Sequence, residues 1–115
     1  WRLPLCTLID LHYNSLSGAV PSFSNIPLLS TLNIANNNLS VFNTGTLNQN
    51  YRLKTLNLSN NNFGQTSLEN ILNDLLNNYQ GFNRTRVSVN LSGNNFTVQD
   101  ILNDPVKLSI DFIVD

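Results

Sequence analysis

The chain is organised by a regular spacing of apolar residues and asparagine, which begins at residues 6, 29, 53 and 86. In residues 53–63, LKTLNLSNNNF, apolar residues occupy the first, fourth, sixth and eleventh places and asparagine occupies the ninth. Apolar residues at the fourth and sixth places alternate with polar ones, and this period of two is typical of a strand with one buried face. Each copy therefore predicts a short strand, a turn, and a return of the chain to the core at the eleventh place.

Asparagine stands at the ninth place of every copy, where the chain turns inward after the strand. Its amide offers donors and an acceptor, which can satisfy backbone groups of its own turn and of the neighbouring copy. We therefore expect a structural ladder of stacked side chains, formed by Asn14, Asn37, Asn61 and Asn94.

Written as L-x-x-L-x-L-x-x-N-x-L, the pattern resembles the leucine-rich repeat family over most of the chain. The resemblance implies an α/β fold: a short right-handed solenoid with a parallel β-sheet on its concave side and helix and irregular turns on its convex side. We expect one domain, residues 1–115, which ends in a capping strand at residues 106–114 with Leu108 and Ile110 facing the core. Residues 16–21, LSGAVP, are similar to the L-S-G-x-[IV]-P segment of the plant-type extracellular subclass.

The segment that follows the second copy, residues 41–52, is short and contains Thr and Gly among polar residues. This composition predicts a turn with a short 3₁₀ segment and disfavours an α-helix. The expected core residues of this segment are Phe42, Leu47 and Tyr51.

The segment that follows the third copy is longer and has a different period. Residues 67–81 place apolar side chains on one face at helical spacing, which predicts an α-helix. Thr66 or Ser67 is expected to cap its start, and Gly81 to end it. After the fourth copy, residues 97–105 predict a second, short helix.

Composition narrows the possible functions. Only 11% of the residues are charged and the net charge is −1, so no basic patch is available to hold a phosphate backbone, and nucleic acid is not expected as a partner.

Cys6 is the only cysteine, which excludes a disulfide within this sequence, and its inward-facing place fits a buried small hydrophobe rather than a reactive thiol. No apolar run approaches the ~18 residues of a membrane span. We find no phosphate-binding loop or metal-ligand cluster, and so predict no cofactor and no metal.

The concave side of the expected sheet would present the non-core places of each strand in columns. These side chains are short, polar and nearly uncharged, which suits hydrogen bonding to a protein or a glycan. The candidate binding residues are Asp10, His12, Tyr13, Thr31, Asn33, Thr55, Asn57, Ser59, Ser88, Asn90 and Ser92. By analogy with the fold, we predict a non-enzymatic recognition module of a secreted or cell-surface protein, and the sequence leaves a cytoplasmic location open.

An alternative function is structural. The predicted C-terminal edge strand is apolar and nearly uncharged, which favours assembly through this edge, through the ends of the solenoid, or with neighbouring domains outside this sequence. Catalysis is the least supported function. Asp10 and His12 could form a carboxylate–imidazole pair, but no third catalytic partner accompanies them.

Five asparagines stand in Asn-x-Ser/Thr triplets and are candidate glycan acceptors: Asn38, Asn57, Asn83, Asn90 and Asn95. The triplets can equally be a by-product of the repeat, in which Asn-Leu-Ser recurs. Glycans at Asn57 or Asn90 would cover the proposed binding face.

Overall fold

The computed structural model describes residues 4–81, 87–96 and 110–113, with the exception of the side chains of residues 76–81 and 110–113. In chain order the elements are β1 (Leu8–Asp10), β2 (Ser17–Ala19), β3 (Thr31–Asn33), β4 (Asn38–Val41), β5 (Thr55–Asn57), α1 (Gln65–Gly81), β6 (Val87–Asn90) and β7 (Ile110–Ile113). The predicted helix at residues 97–105, the acceptor Asn83 and residues 106–109 and 114 of the predicted capping strand lie outside the described residues.

Five of the strands form one parallel sheet in the order β1-β3-β5-β6-β7. The repeats pair in register, so that the fourth places of the four copies are in line, and each of these side chains is buried: Ile9, Leu32, Leu56 and Val89. The sheet is open, neither closed nor curled, with β1 and β7 at its two edges. The parallel sheet and the helix agree with the predicted α/β fold class.

A second, two-stranded parallel sheet is formed by β2 and β4 and was not predicted. Each of its strands follows the turn of its repeat, and Gly18 in β2 adopts a left-handed φ of 79°. The described residues of the segment 41–52 contain turns but no 3₁₀ helix, which corrects that prediction. Phe42 and Leu47 are fully buried, as expected, whereas Tyr51 is half-buried.

The helix α1 begins at Gln65, two residues before the predicted start, and ends at Gly81 as predicted. Its apolar stripe is buried in the described part, through Leu68, Ile71, Leu72 and Leu75. Thr66 and Ser67 both lie inside the helix, so neither is its cap, which corrects that prediction. The side chain of Ser67 has another role. Its hydroxyl instead accepts the backbone N–H of Phe42 (3.1 Å) and donates to the carbonyl of Ser40 (3.0 Å).

Two further polar side chains of α1 hold the loop of the preceding repeat. The amide of Asn70 donates to the carbonyl of Phe42 at 2.8 Å. The carboxylate of Asp74, which is 0% exposed, accepts the backbone N–H groups of Gly45 (2.9 Å) and Leu47 (3.0 Å). Because these side chains satisfy backbone groups that no strand pairs, they fix the helix to the loop as well as to the core.

The last strand pairs in a register that differs from the one expected. In the structure Val89 lies opposite Phe112 and Asn90 opposite Ile113, whereas the repeat alignment placed Leu108 opposite Val89. The difference is four residues, an even number, so both registers obey the alternation of a strand equally well. In the expected register the ninth place falls on Ile113, so no asparagine supports that register.

Candidate functional site: the outer face of the parallel sheet

The outer face of the five-stranded sheet is the side opposite the buried fourth-place residues. Its third-place side chains are Leu8, Thr31, Thr55 and Ser88, and its fifth-place side chains are Asp10, Asn33, Asn57 and Asn90. All of these are exposed or half-buried. Since neighbouring strands lie ~4.8 Å apart, each column presents one side chain about every 4.8 Å, and all of these except Leu8 are polar.

The fifth-place side chains close the turn that follows each strand. In the two interior copies, Oδ1 of Asn33 accepts the backbone N–H of Ala35 and Oδ1 of Asn57 accepts that of Ser59, both at 3.1 Å. Asn90 does the same for Ser92. These bonds fix the orientation of each amide, and Nδ2 of Asn33, Asn57 and Asn90 has no hydrogen-bond partner among the described residues. The amides are therefore pre-oriented, and their Nδ2 donors are unused within the part of the chain that the structure describes.

In the second and third copies the seventh place does not belong to the outer face, contrary to prediction, whereas His12 at this place of the first copy is exposed. Ala35 is buried, and Ser59 is only 4% exposed, with its hydroxyl donated to Oδ1 of Asn57 at 2.7 Å. Ser92 is half-buried and makes the equivalent bond to Asn90. The physical reason is that each strand ends at the fifth place, so the period-two alternation that predicted outward side chains no longer holds at the seventh. Ser59 therefore contributes little to a contact surface.

The ninth-place asparagines connect consecutive repeats. Nδ2 of Asn61 donates to the carbonyls of Leu58 (3.2 Å) and Ser59 (3.2 Å) in its own copy and of Ile34 (3.0 Å) in the preceding copy. Its Oδ1 accepts the backbone N–H of Leu39 at 3.1 Å. Asn37 and Asn94 make the same set of bonds to their own neighbours. Asn14 is exposed, and among the described residues it donates only within its own turn, to Leu11 and His12.

The eighth place has a left-handed backbone in all four copies, a feature that the spacing of apolar residues and asparagine did not predict. The φ values are 55° for Tyr13, 58° for Asn36, 53° for Asn60 and 72° for Gly93. Asparagine and glycine adopt this conformation most readily, which explains why asparagine precedes the ninth-place asparagine in the second and third copies. Tyr13 is the exception in residue type.

The exposed edge of the first copy carries a cluster of three side chains. Nδ1 of His12 is hydrogen-bonded to Oδ1 of Asp10, and the rings of His12 and Tyr13 are in edge-to-face contact with centroids 5.1 Å apart. The hydrogen bonds from the side chain and then the backbone N–H of His12 lower the pKa of Asp10 below its ordinary value of 3.8. Nearby Cys6 is half-buried against the core, and its thiol donates to the carbonyl of Leu8.

The candidate glycan acceptors occupy different environments. Asn38 is exposed at the start of β4, and Asn95 is exposed with its amide donated to Oδ1 of Asn62 at 2.6 Å. Asn57 and Asn90 belong to the outer face. Glycans on the last two would therefore compete with any partner for the same surface.

Within the described residues, no group of three or more His, Cys, Asp or Glu side chains is arranged to hold a metal ion. The same part of the chain has no helix with the length and apolar character required to span a bilayer.

A family model described as Leucine Rich Repeat matches residues 52–78, which span the third copy and most of α1. The chain thus contains a leucine-rich repeat, as the spacing predicts. Such repeats generally serve as protein-interaction modules and are generally not enzymes. The match does not include residues 16–21, so the plant-type subclass stays a prediction. Neither the curated proteins nor the solved structures contain a match to this chain.

Proposed function

We propose that this chain is a non-enzymatic recognition module whose repeats stack as a short right-handed solenoid and whose outer face binds a partner protein. The observation that carries the proposal is the column of Asn33, Asn57 and Asn90. Their amides are held in register by the sheet and by their own turns, while their Nδ2 donors are left without partners in the described chain.

The chemistry of the face supports a ligand that offers hydrogen-bond acceptors. Because the turn bonds already fix the amide orientation, little side-chain entropy remains to be lost when a partner accepts from these donors. Thr31, Thr55 and Ser88 add hydroxyl groups beside the amides, and the central part of the face carries no charged side chain. Affinity would therefore depend on shape and hydrogen bonds more than on long-range electrostatic attraction.

The proposal is tested by placing a large charge on the outer face without disturbing the turns. Thr55 is exposed in β5, so Thr55→Arg should block a partner while leaving the fold intact. The matched control is Asn73→Arg, on the exposed surface of α1. Affinity capture from native material, analysed by mass spectrometry, should yield proteins retained by the wild type and by Asn73→Arg and lost with Thr55→Arg. Identical sets of captured proteins would contradict the proposal, and captured glycans in place of proteins would change the ligand class.

A secreted or cell-surface location also stays part of the proposal. Exposed Asn38 is the acceptor that we expect to carry a glycan, since its side chain lies away from the outer face and makes no hydrogen bond within the described residues. Intact-mass measurement of native material before and after enzymatic deglycosylation would test this. A glycan found on Asn57 would contradict the binding face instead.

The alternative function, assembly through the ends of the repeat array, is favoured by the edge at β1. Leu5 and Leu8 are 82% and 60% exposed there, and an apolar groove of about 240 Å³ lies between Leu11, Leu16 and Phe23. A second copy of this chain could pair its β7 edge with β1 and continue the parallel sheet. Sedimentation velocity over a range of concentrations should then show association that Leu8→Asp abolishes. A monomer at every concentration would contradict assembly.

A further inference from the structure

The starting observation is the residue type at the eighth place of the first repeat. All four copies hold this place in a left-handed backbone, and the other three use the residue types that tolerate it, Asn36, Asn60 and Gly93. Tyr13 adopts the same conformation at φ 55°. An aromatic residue there makes the turn less stable than asparagine would, so packing or function must compensate.

Within the described part of the chain, packing does not compensate for this cost. The side chain of Tyr13 is 75% exposed, and its described ring contact is the edge of His12. The fifth place of the same copy also departs from the others, because it carries Asp10 where the next three copies carry asparagine. Both departures lie at the edge of the outer face that β1 forms.

The two unusual residues offer complementary groups to a cation. Oδ1 of Asp10 is occupied by the backbone N–H and the ring of His12, whereas Oδ2 has no hydrogen-bond partner among the described residues. The exposed aromatic face of Tyr13 attracts a cation through its quadrupole. His12 contacts both residues, so the carboxylate and the phenol ring belong to one continuous surface.

We infer that Asp10 and Tyr13 anchor a basic side chain of the partner protein at the β1 edge of the outer face. Arginine is the better fit, because a guanidinium group can donate to Oδ2 while it stacks on an aromatic ring, which an ammonium group does less well. This inference rests on the proposed function and specifies the chemistry of one contact. It also explains why the first repeat keeps a tyrosine that its backbone disfavours.

The probe for the test is the capped tripeptide acetyl-Gly-Arg-Gly-amide, and the control probe is its citrulline analogue, which has the same shape without the charge. Titration into the isotope-labelled full chain at neutral pH, followed by NMR, should shift saturably the backbone amides of residues 10–13. Because exposed cation–π and ion-pair contacts contribute modestly, we expect the citrulline peptide to bind about five- to twentyfold more weakly.

The variants Tyr13→Asn and Asp10→Asn each install the residue that the second and third repeats use, so both should fold. We expect each to weaken the arginine peptide about two- to fivefold, and Tyr13→Asn also to raise the melting temperature. The matched control is Glu69→Gln, which removes an exposed carboxylate from α1 and should leave binding unchanged.

Equal shifts with the two peptides, no saturable shift up to the solubility limit, or unaltered binding by Tyr13→Asn would each overturn the anchor. An unchanged or lower melting temperature for Tyr13→Asn would overturn the premise that the turn disfavours tyrosine. These failures are distinct from failure of the proposed function, because Thr55→Arg would still abolish protein capture if only the anchor were wrong.

Discussion

The first repeat and the third repeat share one sequence pattern but differ in what the pattern stabilises. Asn61 bonds to the preceding copy as well as to its own turn, whereas the bonds of Asn14 to described residues all lie within its own turn. Leu16 at the eleventh place of the first copy is 40% exposed, although it was expected to re-enter the core, and its equivalent in the third copy, Phe63, is 0% exposed. The difference lies in the neighbours, because β1 is an edge strand and β5 is flanked on both sides.

This comparison shows that the contribution of a repeated residue depends on the copy that carries it. A ninth-place asparagine inside the array satisfies backbone groups of two turns, and these groups would be buried without partners if it were lost. At the edge the same amide satisfies groups that water can also reach. The edge copy is accordingly freer to diverge, and its fifth and eighth places have done so, as Asp10 and Tyr13.

The largest expected effect tests this dependence on position. Asn61→Leu removes the donor to three carbonyls and the acceptor for the N–H of Leu39, so it should reduce the free energy of unfolding by about 3–5 kcal/mol. The matched change Asn14→Leu should cost about 1 kcal/mol or less, since Asn14 is exposed. Urea unfolding of the two variants and the wild type, followed by circular dichroism, measures both values. Equal losses would mean that the turn, and not the neighbouring copy, determines the effect.

A smaller effect should separate backbone strain from contact between copies. Gly93 and Gly18 have similar left-handed φ values of 72° and 79°. A Cβ on Gly93 would lie 2.2 Å from Oδ1 and 3.2 Å from Cα of Asn60, whereas a Cβ on Gly18, in the edge copy, would meet nothing within 4 Å. Gly93→Ala should therefore cost about 2–4 kcal/mol, and Gly18→Ala about 1–2 kcal/mol from the backbone alone.

Thermal and urea unfolding of both alanine variants provide the comparison. The double variant Gly93→Ala with Asn60→Gly removes the clashing side chain and should recover part of the loss. If Gly93→Ala costs no more than Gly18→Ala, the close approach of the third and fourth turns has no energetic consequence.

The parts of this fold that could be predicted from sequence are those that depend on local period or on repetition. The strands β1, β3, β5 and β6 follow from alternation around a buried fourth place, and α1 follows from its helical spacing of leucine and isoleucine. The ninth-place asparagines could be recognised because the same residue type recurs at one spacing. The eighth-place backbone also left a signal, the asparagine at residues 36 and 60, but the signal was hidden beside the more regular ninth place.

Other features depend on tertiary partners and left no periodic signal. Ser67, Asn70 and Asp74 are polar residues of a helix, and only the position of the preceding loop shows that they bind its backbone. The burial of Ser59 depends on where the strand ends, which the alternation of the strand does not indicate. The β2–β4 sheet is formed by segments too short and too polar to suggest strands.

The smallest expected effect concerns the charge at the edge of the outer face. Hydrogen bonds from His12 lower the pKa of Asp10, so the folded state favours the ionised carboxylate. The resulting stability is present above the ordinary pKa of 3.8 and is lost as the pH falls through the lower pKa of the folded state. Asp10→Asn should therefore lose this contribution at neutral pH, a small loss because Asp10 is exposed, and make stability less sensitive to acid below about pH 4. In the reciprocal variant Asn33→Asp, Ala35 offers only its backbone N–H, so its acid dependence should be weaker than that of Asp10. Melting temperatures measured from neutral to acidic pH test both expectations. If the melting temperatures of the wild type and Asp10→Asn fall by the same amount as the pH is lowered, His12 does not distinguish the edge copy from the interior copies.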